Sequence, residues 1–230
     1  MNPTEPPAVP ALDTWSLPTL SIDADGWCPQ ARRQASPNCD VRADGTAIDL
    51  LVIHNISLPP GQFGGPWIED LFANRLDVNA DPYFRQLQSL RVSAHFLIRR
   101  DGSLMQFVPT VMRAWHAGVS TFCGRERCND FSIGVELEGS DFIPFEPAQY
   151  HPLAALTLAL QARHPLANVA GHEHVAPERK TDPGPFFYWE TYRKSWLELS
   201  FAKHESSAGA ACAALPLRFP DGAGNSQDLA

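Results

Sequence analysis

The amino-acid sequence predicts an α/β fold, in which a mixed central β-sheet is flanked by α-helices. Short β-branched and aromatic runs, bounded by turn residues, alternate along the chain with longer segments whose apolar residues follow helical spacing. The 230 residues are enough for one substantial domain. A hydrophobic content of 44% and a charged content of 19% are ordinary for a globular protein. Together these observations favour a single sheet covered by helices.

Five strands are predicted, each as a short apolar run that ends at turn residues. The sequence Arg100-Asp101-Gly102-Ser103 is typical of a hairpin turn, and it joins the second strand to the third. The predicted strands cover residues 49–54, 95–99, 104–108, 131–138 and 167–171.

Four helices are predicted between and after these strands. The third is the clearest, because its Leu, Ala and Tyr residues form one apolar stripe at helical spacing. Pro147 suits the first turn of this helix, and Pro165 ends it. The predicted helices cover residues 67–76, 81–89, 146–163 and 188–200.

The two ends of the chain depart from this alternation. Residues 1–20 are rich in proline and show no periodicity, so we expect a flexible leader. Residues 204–230 are low in complexity and rich in small side chains, and we expect a disordered or loosely attached tail. The folded domain is therefore expected over residues 21–203.

Charge and cysteine content exclude several classes of function. A formal net charge of −8 provides no basic field for nucleic acid. The N-terminal residues lack the pattern of a secretory signal, and no window approaches the roughly 18 apolar residues of a membrane span. The five cysteines form no CxxC pair, which favours free thiols in a reducing compartment. We therefore expect a cytoplasmic protein without nucleic-acid or membrane partners.

The stretch 171–185 carries the strongest functional pattern. Its three prolines remove backbone donors and predict a stiff loop rather than a helix or a central strand. This loop contains His172 and Asp182, and His54 lies at the end of a buried strand far upstream. Two histidines and one carboxylate leave the fourth position of a tetrahedral ion open, as a catalytic zinc requires. The pattern predicts a zinc hydrolase.

Two further residues are candidates for catalysis. Alternation along strand 131–138 places Glu136 and Glu138 on the same face. A carboxylate in the middle of a buried strand is costly unless it is paired or acts on a metal-bound water. We therefore interpret Glu136 as the general base and Glu138, near the strand's end, as a solvated carboxylate. Lys180 fits two roles equally, a stabiliser of an oxyanion or a solvated loop lysine.

The remaining histidines have weaker patterns. His95 and His116 lie among apolar residues, and each is expected to be a hydrogen-bonded structural histidine. His174 lies two residues from His172 and is an alternative ligand if the segment is extended. Surface positions are expected for His151, His164 and His204.

Five blocks of the sequence are long, ordered motifs: 52–61, 92–98, 113–118, 124–132 and 176–184. With the residues above, they resemble the AmpD-type N-acetylmuramoyl-L-alanine amidases. The larger family includes amidase-type phage lysozymes and peptidoglycan-recognition proteins. The resemblance covers residues 20–200, nearly all of the expected domain.

The resemblance implies a fold, a cofactor and a reaction. The fold would be the amidase and peptidoglycan-recognition-protein fold, and a single zinc ion would be bound by His54, His172 and Asp182. Glu136 and Lys180 would be the catalytic pair. The implied substrate is a small muropeptide, a 1,6-anhydro-N-acetylmuramyl peptide, cut between its lactyl group and L-alanine. This reaction belongs to cytoplasmic recycling of wall fragments, and we expect a monomer.

Substrate contacts are also implied by the resemblance. Arg91, Arg127 and Arg179 suit the carboxylates of the peptide stem, because arginine offers bidentate geometry. Asn55 and Trp115 are expected to line the sugar site.

Two other classes of function remain open from the sequence. A non-catalytic muropeptide-binding module of the same fold would tend to lack a zinc ligand, whereas all three candidates are present here. A cysteine amidase would use Cys39 or Cys128, but neither lies in a loop that supplies an obvious activating base.

Overall fold

A six-stranded mixed sheet forms the centre of the computed structural model, which describes residues 19–206 and 217–220. The strand order is β1-β5-β4-β9-β3-β10, with β4 and β5 antiparallel and each other neighbouring pair parallel. Two small antiparallel sheets pair β2 with β6 and β7 with β8. In chain order the strands are β1 (Arg32–Arg33), β2 (Cys39–Val41), β3 (Leu50–Ile56), β4 (Phe96–Ile98), β5 (Leu104–Gln106), β6 (Met112–Ala114), β7 (Thr121–Phe122), β8 (Arg125–Glu126), β9 (Ser132–Glu138) and β10 (Asn168–Gly171).

The helices are α1 (Trp67–Phe72), α2 (Pro147–Arg163), α3 (His172–Val175) and α4 (Trp189–Ser206). Two 3-10 turns cover Pro82–Leu87 and Cys128–Asp130. None of the helices that the structure describes combines the length and apolar character needed to cross a membrane.

Each of the five predicted strands is present, and the predicted hairpin joins β4 to β5. The fold class is confirmed as a mixed sheet with flanking helices. Helix α2 begins at Pro147, where the side chains of Glu146 and Gln149 form a capping box, and it ends before Pro165 as predicted.

Two predicted helices differ from the structure. The helix predicted over 67–76 ends at Phe72, because Asn74 adopts a left-handed conformation with a φ of 58°. The segment predicted over 81–89 is a 3-10 turn that buries only Phe84. One buried residue provides no apolar stripe to sustain a longer α-helix.

The sheet has two differently covered faces. Alternation along β3 and β9 turns Leu51, Ile53, Val135 and Leu137 towards α2 and α4, in the largest apolar cluster. The opposite face of the sheet is covered by α1, the first 3-10 turn and loops. His54 and Glu136 belong to this second face, because they alternate with the core residues of their strands.

The stretch 171–185 contains regular structure, so the prediction that none runs through it is wrong. Gly171 ends β10, and α3 follows at once as a single helical turn closed by a 2.9 Å bond from the Ala176 N–H to the His172 carbonyl. The three prolines come after this turn, and they leave its backbone donors available.

The expectation of a loose tail does not hold for residues 217–220. Arg218 pairs with the edge strand β10, donating to the Ala167 carbonyl at 2.9 Å and accepting from the Val169 N–H at 2.8 Å. The ring of Phe219 packs against Tyr192 and Trp196 of α4. Residues 207–216 and 221–230 lie outside the described residues, as do residues 1–18 of the predicted leader.

Candidate active site

A cleft of about 840 Å³ opens where β3 and β9 end. The parallel strands β3, β9 and β10 bring their carboxyl ends to one edge of the sheet, which is the usual place for a site in such folds. The cleft is lined by the two predicted histidine ligands, the predicted aspartate, Glu136 and Lys180.

The structure brings the three predicted metal ligands together. His54 Nδ1 lies 2.9 Å from His172 Nδ1, and each of these nitrogens lies 3.0 Å from Asp182 Oδ2. His54 is held by the sheet, His172 by the start of α3, and Asp182 by the loop that follows it. Among the residues that the structure describes, these three form the one group of at least three donors able to hold a metal ion.

The second nitrogen of each ring is engaged by a partner behind it. His172 Nε2 lies 3.1 Å from the Ala117 carbonyl, which accepts its proton. His54 Nε2 lies 2.9 Å from His116 Nδ1. When each Nε2 carries the proton, both Nδ1 atoms present lone pairs to the centre of the group, which is the form that a metal binds.

The charges of these groups fit a cation. Burial lowers the pKa of His54 to about 4, so its ring is neutral at pH 7. Although burial alone would raise the pKa of Asp182, the adjacent imidazole rings of His172 and His54 hold it well below the usual range, so the carboxyl group is an anion. Two lone pairs and a carboxylate facing one another at 3.0 Å or less repel unless a cation lies between them. Donors about 3 Å apart can each reach one ion at about 2 Å, the distance typical of zinc.

Glu136 lies beside this group, paired in register with His54 across neighbouring strands. Only 9% of Glu136 is exposed, and its Oε2 has no hydrogen-bond partner among the residues that the structure describes. Burial, with the charge of Asp182 next, raises its pKa well above the ordinary value, while the charge of Lys180 opposes this. The geometry leaves Glu136 Oε2 available to accept a proton inside the cleft.

Asp141 is a cleft residue that the sequence interpretation missed. Its Oδ1 accepts from Asn55 Nδ2 at 2.6 Å, and its Oδ2 accepts from Thr181 Oγ1 at 2.5 Å. Asn55 Nδ2 also donates to the Pro183 carbonyl at 3.0 Å. Asp141 therefore ties the strand that carries His54 to the loop that carries Asp182. The available signal was a carboxylate three residues beyond the strand that contains Glu138.

Four of the five predicted substrate contacts line the cleft, and one does not. Arg91, Trp115 and Arg179 line the cleft together with Asn55. Arg179 Nη2 donates to the carbonyls of Ala117 and Val119 at 2.7 and 2.6 Å, so it also holds the loop behind His172. Arg127 lies outside the cleft lining, and its Nε is 3.1 Å from Asp130 Oδ2.

His174 is not one of the converging donors. Its Nδ1 accepts from the Gly171 N–H at 2.8 Å, and its ring lies against Trp189. This ring is therefore part of the turn that positions His172, rather than a competing ligand. His95 and His116 have the predicted structural character, because both nitrogens of each ring lie within hydrogen-bond distance of protein atoms.

Two surface expectations are wrong. His164 is only 9% exposed, and its Nε2 lies 2.8 Å from Thr110 Oγ1. Glu138 is 2% exposed, pairs with Arg99 at 2.8 Å and accepts the Gly64 N–H at 2.6 Å. In both cases the burying partners are distant in sequence. His151 is half-buried, and the side chain of His204 lies outside the described part.

Comparison with known proteins decides the family. The N-acetylmuramoyl-L-alanine amidase family matches residues 44–185. The 1,6-anhydro-N-acetylmuramyl-L-alanine amidase AmpD of Citrobacter freundii is 59% identical over 171 residues, which are 74% of this chain and 91% of that protein. The chain belongs to the N-acetylmuramoyl-L-alanine amidase family. AmpD of Escherichia coli K12 is 57% identical over 73% of this chain and 93% of its own length.

Solved structures agree with this family membership. A crystal structure of a selenomethionine AmpD derivative is 58% identical in sequence to this chain. It superposes on this chain with a TM-score of 0.74, and the match covers 76% of this chain and 98% of that one. A human peptidoglycan-recognition protein shares 18% identity with a TM-score of 0.51, which shows the fold alone. The predicted resemblance, in family and in fold, is confirmed.

Proposed function

We propose that the protein is a zinc-dependent N-acetylmuramoyl-L-alanine amidase. It hydrolyses the linear amide between the lactyl group of 1,6-anhydro-N-acetylmuramic acid and the L-alanine of a muropeptide. One observation carries this proposal: three lone-pair donors converge within 3.0 Å in a cleft, next to a buried glutamate with an unpartnered oxygen. The AmpD relatives, at 57–59% identity, support the substrate class and a place in peptidoglycan recycling.

His54, His172 and Asp182 would hold the zinc ion, which when bound lowers the pKa of water and polarises a carbonyl. Glu136 Oε2 accepts the proton of the attacking water and passes it to the leaving amine of L-alanine. Lys180 lies close enough for its charge to affect the pKa of both Glu136 and His54, and it stabilises the negative oxygen of the tetrahedral intermediate.

The cleft walls supply the proposed substrate contacts. Arg91 is exposed on the wall and uses Nη1 for the carbonyls of Gln88 and Leu90, which leaves Nη2 for a stem carboxylate. Trp115 offers an indole face to the sugar. Asn55 and Arg179 contribute mainly by holding the loops that shape the cleft, and Arg127 would reach the substrate only as a rim residue.

The structure gives no support to a cysteine amidase. Neither Cys39 nor Cys128 lines the cleft. Burial raises the pKa of both thiols, which lowers the fraction of reactive thiolate at pH 7. A non-catalytic binding module is less consistent with the site, because a pure binder has no need of a buried, unpartnered carboxylate beside a complete donor set.

We also propose that the enzyme works as a monomer in the cytoplasm on a small, diffusible substrate. Within the described part of the chain, the buried thiols of Cys28 and Cys128 form no disulfide, which agrees with a reducing compartment.

The test combines metal analysis with a cleavage assay. The purified protein should contain about one zinc per chain and should release the tripeptide from anhydro-N-acetylmuramyl tripeptide, and a chelator should abolish this activity. His54→Ala should lose both zinc and activity. His151→Ala removes an imidazole from α2, which packs on the opposite face of the sheet from the cleft, so this variant should retain zinc. Full zinc content and activity in His54→Ala would refute the proposed site.

A further inference from the structure

We propose that His116 is a positioning residue that fixes the tautomer of His54 and thereby presents His54 Nδ1 to the metal. The inference rests on the proposed zinc amidase function and extends it to a partly exposed histidine of the cleft wall, next to the ligand His54. His116 is not one of the three converging donors. It contacts Nε2 of His54, whereas Asp182 contacts Nδ1 of the same ring.

A chain of hydrogen bonds runs from the site into the core. Ser132 Oγ donates to the Cys128 carbonyl at 2.6 Å, so its lone pairs are free to accept. His116 Nε2 lies 3.2 Å from this oxygen and donates to it, which leaves His116 Nδ1 without a proton. His54 Nε2, 2.9 Å from that nitrogen, must then be the donor. The Cys128 carbonyl therefore determines which atom donates at each step, so that the protons lie on Ser132 Oγ, His116 Nε2 and His54 Nε2. The lone pair of His54 Nδ1 then faces Asp182.

The backbone of the same segment supports the second histidine ligand. The N–H groups of His116 and Ala117 both donate to Asn129 Oδ1, at 3.2 and 2.8 Å. The Ala117 carbonyl then accepts from His172 Nε2 at 3.1 Å. One dipeptide therefore orients both metal-binding rings, with a side chain for His54 and a carbonyl for His172.

This dipeptide is anchored by a buried cation. Arg42, only 8% exposed, donates to the carbonyls of Asn129, Asp130 and Ser132 at 2.7–2.8 Å. The segment that carries both Asn129 and Ser132 is thereby fixed to the second face of the sheet.

The sequence also makes room for the His116 ring. Gly134 lies on the cleft face of β9, between Ser132 and Glu136 on that face. A Cβ atom at position 134 would lie 2.5 Å from the His116 ring, closer than any real contact. Every larger side chain at this position would displace the ring from its place behind His54. The glycine explains how an imidazole can lie flat against a central strand.

Because both ring nitrogens of His116 are engaged, the ring has no free site with which to accept a proton from water. His116 therefore acts through His54, and its loss should change metal affinity before it changes chemistry. Loss of a partner behind a metal ligand typically weakens metal binding by about 10–100-fold.

The experiment measures zinc affinity of the full-length protein by competition with a chromogenic chelator, together with the visible absorption of the Co²⁺ form. His116→Phe keeps a ring but removes the acceptor, and zinc binding should weaken by about 10–100-fold with an altered Co²⁺ spectrum. His116→Gln offers an amide oxygen in place of Nδ1 and should recover most of the affinity. Ser132→Ala removes only the anchor and should weaken zinc binding by a smaller factor, which keeps the test available if His116→Phe does not fold.

His164→Phe is the matched control, because it removes a buried imidazole that bonds a hydroxyl group and belongs neither to the metal-binding group nor to the cleft lining. Its zinc affinity should equal that of the wild type. Wild-type affinity in both His116→Phe and Ser132→Ala, or equal weakening in His164→Phe, would overturn the role of His116. A wild-type protein that binds no zinc would instead refute the proposed function.

Discussion

His54 of β3 and Glu136 of β9 lie directly opposite each other in the parallel register of the central sheet. Their side chains share the face that points away from α2 and α4, so the proposed metal ligand and the proposed base are fixed by one backbone ladder. This arrangement is costly, because a carboxylate is buried and one of its oxygens has no partner in the described ranges 19–206 and 217–220. The carboxylate that the proposed reaction needs therefore lowers the stability of the folded protein.

The first prediction follows from that cost. Glu136→Gln keeps the shape of the side chain but cannot accept the proton of water, so cleavage should fall by about 10²–10⁴-fold. Zinc content should be unchanged, and the melting temperature should not fall, because a neutral amide replaces a buried carboxylate. Metal analysis, calorimetry and a muropeptide assay check these outcomes. Glu126→Gln, at an exposed position of β8, is the matched control and should behave like the wild type. Turnover of Glu136→Gln within a few-fold of wild type would contradict its role.

The second prediction concerns Lys180. If its charge stabilises an oxygen that is negative only near the transition state, Lys180→Ala should lower kcat by a larger factor than it raises KM. Combined with Glu136→Gln, the two losses should be less than additive, since both residues act on the same intermediate. Steady-state kinetics of the single and double variants provide the measurement. Lys194→Ala removes an exposed lysine from α4 and serves as the control. A pure rise in KM would show that Lys180 only binds substrate.

Local patterns accounted for the parts of the fold that the chain specifies locally. The long strands and α2 were predictable because alternation, helical spacing and flanking prolines are all read from neighbouring residues. β2 and β6, of three residues each, show no period and were not predicted, whereas the equally short β4 and β5 flank the hairpin turn at Arg100–Ser103, which marks them in the sequence. Helix α3 was not predicted, because the prolines of the stretch exclude a helix only at and just before their own positions, and all three follow His172–Val175.

The site residues also divide into those that the sequence predicted and those that it did not. His54, His172 and Asp182 stood out by residue type and context, and the structure brings them together. Asp141, His164 and Glu138 were missed or misplaced, because the groups that surround their side chains lie 38 or more residues away in the sequence. Burial of a polar side chain by distant elements leaves no signature in its immediate sequence.

The third prediction addresses the segment 217–220, which pairs with the edge of the sheet. Phe219 is half-buried against Tyr192 and Trp196, so Phe219→Ala should lower the free energy of unfolding by about 1–2 kcal/mol. Truncation after Ser206 also removes the backbone pairing with β10 and should destabilise the protein further. Chemical denaturation measures both effects. Phe201→Ala, at a position 64% exposed, should change little. An unchanged stability after truncation would mean that the segment contributes nothing to folding.

The fourth prediction is a dependence of stability on pH that originates at His164. Burial, followed by the charges of Arg163 and Arg42, lowers its pKa to about 4, whereas an unfolded histidine titrates near pH 6.5. Between about pH 6.5 and pH 4 the unfolded chain holds a proton that the folded chain does not. Stability is therefore fully present above pH 6.5 and is lost as the pH falls, by up to about 1.4 kcal/mol per pH unit for this one proton.

His164→Gln removes that proton while keeping a side chain able to bond with Thr110 Oγ1. Its unfolding free energy should fall less steeply than that of the wild type between pH 6.5 and pH 4.5, so the two curves should converge in acid. Urea unfolding of the metal-free proteins at several pH values measures the two slopes without a contribution from zinc release. Parallel curves for the two proteins would show that His164 takes up its proton equally in both states, against the burial that the structure gives it.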